Sequence, residues 1–125
     1  MGTVTKRRRA RRFQIPGGKG RLKRAGVLSF FARFSGPLPV LNVSKGGLAI
    51  KSEKKFRRGQ KIKVQLLTPN EGPLNLKGRV GWQEESADDF YTVVGIEFMP
   101  FGNGFGWNSL KALDVLRRME DRYRK

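Results

Sequence analysis

The sequence predicts a mainly β fold: an antiparallel barrel of five or six short strands, completed by one C-terminal α-helix. Three observations carry this. Short segments through the middle of the chain alternate polar and apolar residues, the signature of a strand with one wet face. Clusters of Gly, Pro and Asn separate those segments at regular intervals. Only the last stretch changes to an apolar period of three to four. A length of 125 residues suits one domain, and a chain of this size buries about two-thirds of its unfolded surface.

Taken in order, Met1 to Ala10 is left without structure. Pro37-Leu38-Pro39 opens a connection, and Val40-Leu41-Asn42-Val43 is β-rich although it alternates poorly. Gly46-Gly47 is a turn signal, because Gly alone enters positive φ at no steric cost. Leu48 to Lys51 is a short strand, and Lys61 to Leu66 alternates cleanly. Thr68 to Pro73 has loop composition. Leu74 to Trp82 alternates again and places Leu74, Leu76, Gly78, Val80 and Trp82 on one face, so Trp82 is expected to pack in the core. After the acidic hairpin Glu84 to Asp89, Tyr91 to Phe98 is the strongest β run. Phe98, Phe101, Phe105 and Trp107 read as packing between barrel and helix. Asn108 or Ser109 can cap the helix, whose stripe is Leu110, Leu113, Leu116, Met119 and Tyr123. Its last turns collect Arg117, Arg118, Arg122, Arg124 and Lys125, where the macrodipole favours cations.

Charge narrows the function. There are 27 Lys+Arg against 10 Asp+Glu, no His and no Cys, a net charge of +17. Without Cys there is no disulfide framework or thiol nucleophile, and without His the commonest general base and best transition-metal ligand are missing. No catalytic set assembles and no metal site is expected; the pairs Glu84-Glu85 and Asp88-Asp89 belong to a solvated turn. No signal peptide or membrane-spanning run is visible, which points to a cytoplasmic protein. The excess of +17 calls for an anionic partner. No acid precedes Glu53, and ten bases fall in the first 25 residues. Such a block repels itself, so the arm is expected to stay mobile until an anion neutralises it. A second cluster, Lys51 to Lys63, is read as solubility or the docking face of an acidic partner.

Two motifs stand out. Arg8-Arg9-Ala10-Arg11-Arg12 holds an R-x-x-x-R spacing at Arg8 and Arg12, and another at Arg7 and Arg11. Asn42-Val43-Ser44-Lys45-Gly46-Gly47 reads N-x-S-x-x-G. Alone, the first is what any basic tail produces and the second is an ordinary Ser turn. Together, about thirty residues apart and ahead of a barrel pattern, they are far less expected by chance.

With Gly78-x-Val80-x-Trp82 and Gly95-Ile96-Glu97-Phe98 behind them, these motifs resemble the PilZ domain, a bacterial receptor module for cyclic di-GMP. The resemblance covers most of the chain. It implies a six-stranded antiparallel, Greek-key-like β-barrel with a C-terminal α-helix over 108–124, preceded by a basic arm over 1–12, with the ligand on the outer surface of the barrel. Carried over residue by residue, it implies ligand contacts from Arg8, Arg12, Asn42, Ser44, Gly46 and Gly47. Trp82 stands where some members place an aromatic beside the ligand. An Arg directly before the R-x-x-x-R, as Arg7 is, goes with a stacked pair of cyclic di-GMP molecules, so two ligands per domain are expected; one more base in a basic tail explains it nearly as well. Many members carry Asp at the position of Asn42, and Asn supplies one carbonyl acceptor and no charge.

The chemistry agrees with such a ligand. Arg can donate two hydrogen bonds to guanine O6 and N7 or stack on the base. Asn42 can accept from a guanine N–H, and Ser44 can meet a base or phosphate oxygen. The expected function is a non-enzymatic second-messenger receptor, with ordering of the arm on binding as its output and an unidentified downstream protein as its partner. The alternative is a basic barrel that binds nucleic acid, using the same arm on phosphates and Phe30, Phe31 or Phe34 on bases.

Overall fold

Six antiparallel strands close into a barrel in the order β1-β2-β3-β6-β5-β4, and one helix follows them. The computed structural model describes residues 12–25, 33–86 and 90–124. The strands are β1 (Lys19–Arg24), β2 (Leu38–Val43), β3 (Gly47–Ser52), β4 (Lys61–Leu67), β5 (Leu74–Glu85) and β6 (Thr92–Phe98), and the helix is α1 (Leu110–Tyr123). The meander β4-β5-β6 returns so that β6 pairs with β3 and β4 pairs with β1. The ring closes between β1 and β2 over two residue pairs, Lys19↔Pro39 and Gly20↔Leu38.

β1 takes four of the ten bases in the first 25 residues into the barrel, beyond the arm expected over 1–12. Lys19, Arg21, Lys23 and Arg24 sit in a strand, paired with β4 from Lys19↔Leu67 to Arg24↔Ile62. The reason is alternation: Gly20 and Leu22 are buried while the cations between them point outward. Lys19 and Arg24 stay exposed, while Arg21 and Lys23 are half-buried and the Arg21 Nε is enclosed without a hydrogen-bond partner among the described residues.

The interior is aliphatic, with Ile50, Ile62, Leu66, Leu76, Val64, Val80 and Val94 almost fully buried. Helix α1 adds Ala112, Leu116 and Met119 to the same core. Ser109 is its N-cap, the hydroxyl accepting from the Ala112 N–H at 3.1 Å. The buried stripe centres on Ala112-Leu116-Met119, so Leu110, expected inside, is exposed. Two further expectations fail: Phe105 and Trp107 are exposed, and only Phe98 and Phe101 pack at the core's margin, ring edge to face at 6.4 Å.

The largest correction concerns β5. Val80 pairs with Ile96, and Trp82 pairs with Gly95, so Gly81 is an extra residue in a β-bulge. A bulge shifts the alternation by one position. Trp82 therefore leaves the core face and lies outside, 41% exposed, while Gln83 turns inward. Strand β2 carries a matching bulge at Leu41: Val40 pairs with Ile50 and Asn42 with Ala49. This explains the poor alternation of Val40 to Val43.

Candidate functional site

The two bulges end on one row. Asn42 pairs with Ala49, Ala49 with Gly95, and Gly95 with Trp82. The row crosses β2, β3, β6 and β5 on the outer face, about 14 Å at ~4.8 Å per strand. Its flanks are an amide and an indole, and its centre is two of the smallest side chains. Gly95 is required here: a Cβ at that position would overlap the Trp82 indole, which lies directly over it. Among the described residues none hydrogen-bonds to the Asn42 side chain, so its amide is available to a ligand.

The N-x-S-x-x-G segment turns at the end of this row. Ser44 is buried, and its hydroxyl accepts from the Gly46 N–H at 3.1 Å. The Ser44 N–H donates to the Gly47 carbonyl at 2.8 Å, and the Phe98 N–H donates to the Gly46 carbonyl at 2.9 Å. Ser44 and Gly46 thus spend their polar groups shaping the turn. Gly47 is needed for close packing and not, as expected, for positive φ: a Cβ there would run into the Ile96 carbonyl oxygen.

Phe13 joins the two motifs in space. Its side chain is buried, and it exchanges two backbone hydrogen bonds with Val43, each 2.8 Å. In this antiparallel bridge Arg12 falls opposite Ser44, and Val43 lies between Asn42 and Ser44. Residues thirty apart in sequence become neighbours. Arg12 is exposed, so its guanidinium starts from the turn with no burial cost. Arg7 and Arg8 lie outside the described residues.

The site therefore assembles Arg12, Asn42, Ser44, Gly46 and Gly47 at one end of the row and Trp82 at the other. Sequence reasoning gave Phe13, Ala49 and Gly95 no role in the site. Gly95 carried a readable signal, because Gly inside the strongest β run marks a close approach. Phe13 and Ala49 carried none, since their roles depend on register. Chemically the row is a shallow, small-residue floor with a planar aromatic wall and a cation at its rim. Such a surface suits a planar anion. Among the described residues no cluster of carboxylates is placed to hold a metal ion.

The fold is a small closed barrel whose outer row runs from Asn42 to the exposed Trp82 indole. The sequence profile of the PilZ domain matches residues 6–105, and the chain belongs to the PilZ domain family. No curated protein sequence matches the chain. Among solved structures, it is similar to MrkH, described as a c-di-GMP-dependence transcription regulatory factor, with TM-score 0.62 and 12% identity over 91% of this chain and 49% of that one. It is also similar to the Bacillus subtilis inhibitor of motility MotI (DgrA), with TM-score 0.57 and 15% identity over 94% and 53%. The chain spans about half the length of these two proteins, and the likeness is one of fold.

Proposed function

We propose that this protein is a non-enzymatic receptor for cyclic di-GMP, and that the ligand binds on the outer row between Arg12 and Trp82. The observation that carries the reading is the Phe13–Val43 bridge, which brings the end of the R-x-x-x-R motif to the N-x-S-x-x-G turn. Family membership and the c-di-GMP dependence named for MrkH support the choice of ligand.

Arg8 and Arg12 close over the ligand from one side, donating to guanine edges and phosphates. Asn42 accepts from a guanine N–H, the turn backbone at Gly46 and Gly47 lets a phosphate or base approach, and Trp82 bounds the far side. Arg7 extends the cation set toward a stacked pair, so two ligands per domain are expected. The dinucleotide neutralises part of the N-terminal block, residues 1–12 fold onto the barrel, and the new surface is what a downstream protein reads. The barrel from residue 13 onward is the scaffold for that event.

Isothermal titration with cyclic di-GMP tests this. Wild type should bind saturably with a stoichiometry near two, and cyclic di-AMP or GTP should not compete. Arg8→Ala and Arg12→Ala should each abolish the heat signal while the thermal melt stays nearly unchanged; Arg12 is exposed, and surface substitutions change stability little. Wild-type binding by both variants would move the site elsewhere.

A further inference from the structure

The opposite wall of the barrel carries a second anion-facing surface. Lys23 on β1 pairs with Lys63 on β4, and Lys63 pairs with Lys77 on β5. Like charges directly opposite one another across strands are destabilising. None of the three is in an ion pair with a described residue, and the segments Lys19–Arg24, Lys61–Leu67 and Leu74–Arg79 contain no acid. A three-strand ladder of unpaired lysines is therefore maintained against its own repulsion, and an anion laid along it relieves the strain.

Two exposed aromatics accompany the ladder. A groove of about 430 Å³ is lined by Lys63, Lys77, Phe34 and Trp107, with Asn75 and Ser109 at its margins. Trp107 is 42% exposed and Phe34 37%. The Lys23 ammonium stands 5.6 Å from the centre of the Phe34 ring. Trp107 is held in place by its neighbour Asn108, whose amide bonds to both backbone groups of Lys77.

We infer that this β1-β4-β5 face binds single-stranded nucleic acid, with phosphates along the Lys23-Lys63-Lys77 ladder and a base stacked on Trp107. The cations alone would suit any polyanion. The aromatics decide the class: a flat exposed ring beside a cationic track offers a stacking platform to unpaired bases. Duplex DNA keeps its bases stacked on one another, and the carboxylates of an acidic protein surface offer the ring no aromatic face to stack on. The site is separate from the Asn42-to-Trp82 row and stands whether or not that row binds a dinucleotide.

The test is fluorescence anisotropy of a labelled oligothymidylate, without cyclic di-GMP, against wild type and the Lys63→Gln/Lys77→Gln double variant. Both lysines are exposed, so the variant should melt like wild type. It should bind roughly tenfold more weakly, and its log–log salt slope should fall by ~1.4, at ~0.7 per lost phosphate contact. In a Trp82→Phe background, where Trp107 is the sole indole, the oligonucleotide should quench the emission. Cyclic di-GMP calorimetry on Lys63→Gln/Lys77→Gln should match wild type, which keeps this test apart from that of the outer row. Equal oligonucleotide affinity in wild type and double variant would overturn the inference, because the N-terminal bases would then account for binding. Equally tight binding of polyglutamate or duplex DNA, with no quenching of Trp107, would overturn it as well.

Discussion

Trp82 shows how one inserted residue redirects a side chain. Period-2 counting places it inside with Leu76 and Val80, and the extra residue Gly81 places it outside over Gly95. A single sequence does not announce a bulge, since Gly81 could equally continue the strand. Ser44 is the converse case: its motif was legible, and the structure shows its hydroxyl committed to the turn. Within the proposed function, the two residues should respond differently to change. Trp82→Ala removes only a stacking wall and should weaken cyclic di-GMP about tenfold, ~1.4 kcal/mol, by calorimetry. Undiminished affinity would remove Trp82 from the site.

At the level of elements, β4 and the capped helix were readable because burial on one face imposes a strict period, and β3 and β6 because of their β-rich composition. Strand β1 was hidden by its charge, because composition outweighed a short alternation around Leu22. The register was not readable at all, and the site depends on it. Asn108 illustrates a join that no pattern reveals. Beyond the end of β6 its side chain takes the place of a strand, accepting from the Lys77 N–H at 2.7 Å and donating to the Lys77 and Met99 carbonyls, each at 2.9 Å. It is buried, so Asn108→Ala leaves three backbone groups without these partners. The expected cost is about 2–4 kcal/mol, seen as a lower midpoint in urea denaturation with an unchanged slope. A midpoint within error of wild type would mean water replaces the amide.

On the scale of the whole molecule, the fold divides the charge that composition could only total. Arg12 reaches the Ser44 turn, and Lys23, Lys63 and Lys77 form a ladder on the other wall. The lysines of the Lys51 to Lys63 cluster separate: Lys55 pairs with Glu85, Lys51 stands over the Tyr91 ring at 4.5 Å, and Lys63 joins the ladder. Among the described residues, no helix is long and apolar enough to cross a membrane. In the proposed function, cyclic di-GMP occupies the outer row anchored by the Phe13–Val43 bridge. Amide shift mapping by ¹⁵N NMR during a cyclic di-GMP titration tests it most directly. The largest shifts should fall on Ser44, Gly47, Ala49, Gly95 and the Trp82 indole N–H. Shifts centred on Lys23, Lys63 and Lys77, or none at saturating ligand, would contradict it.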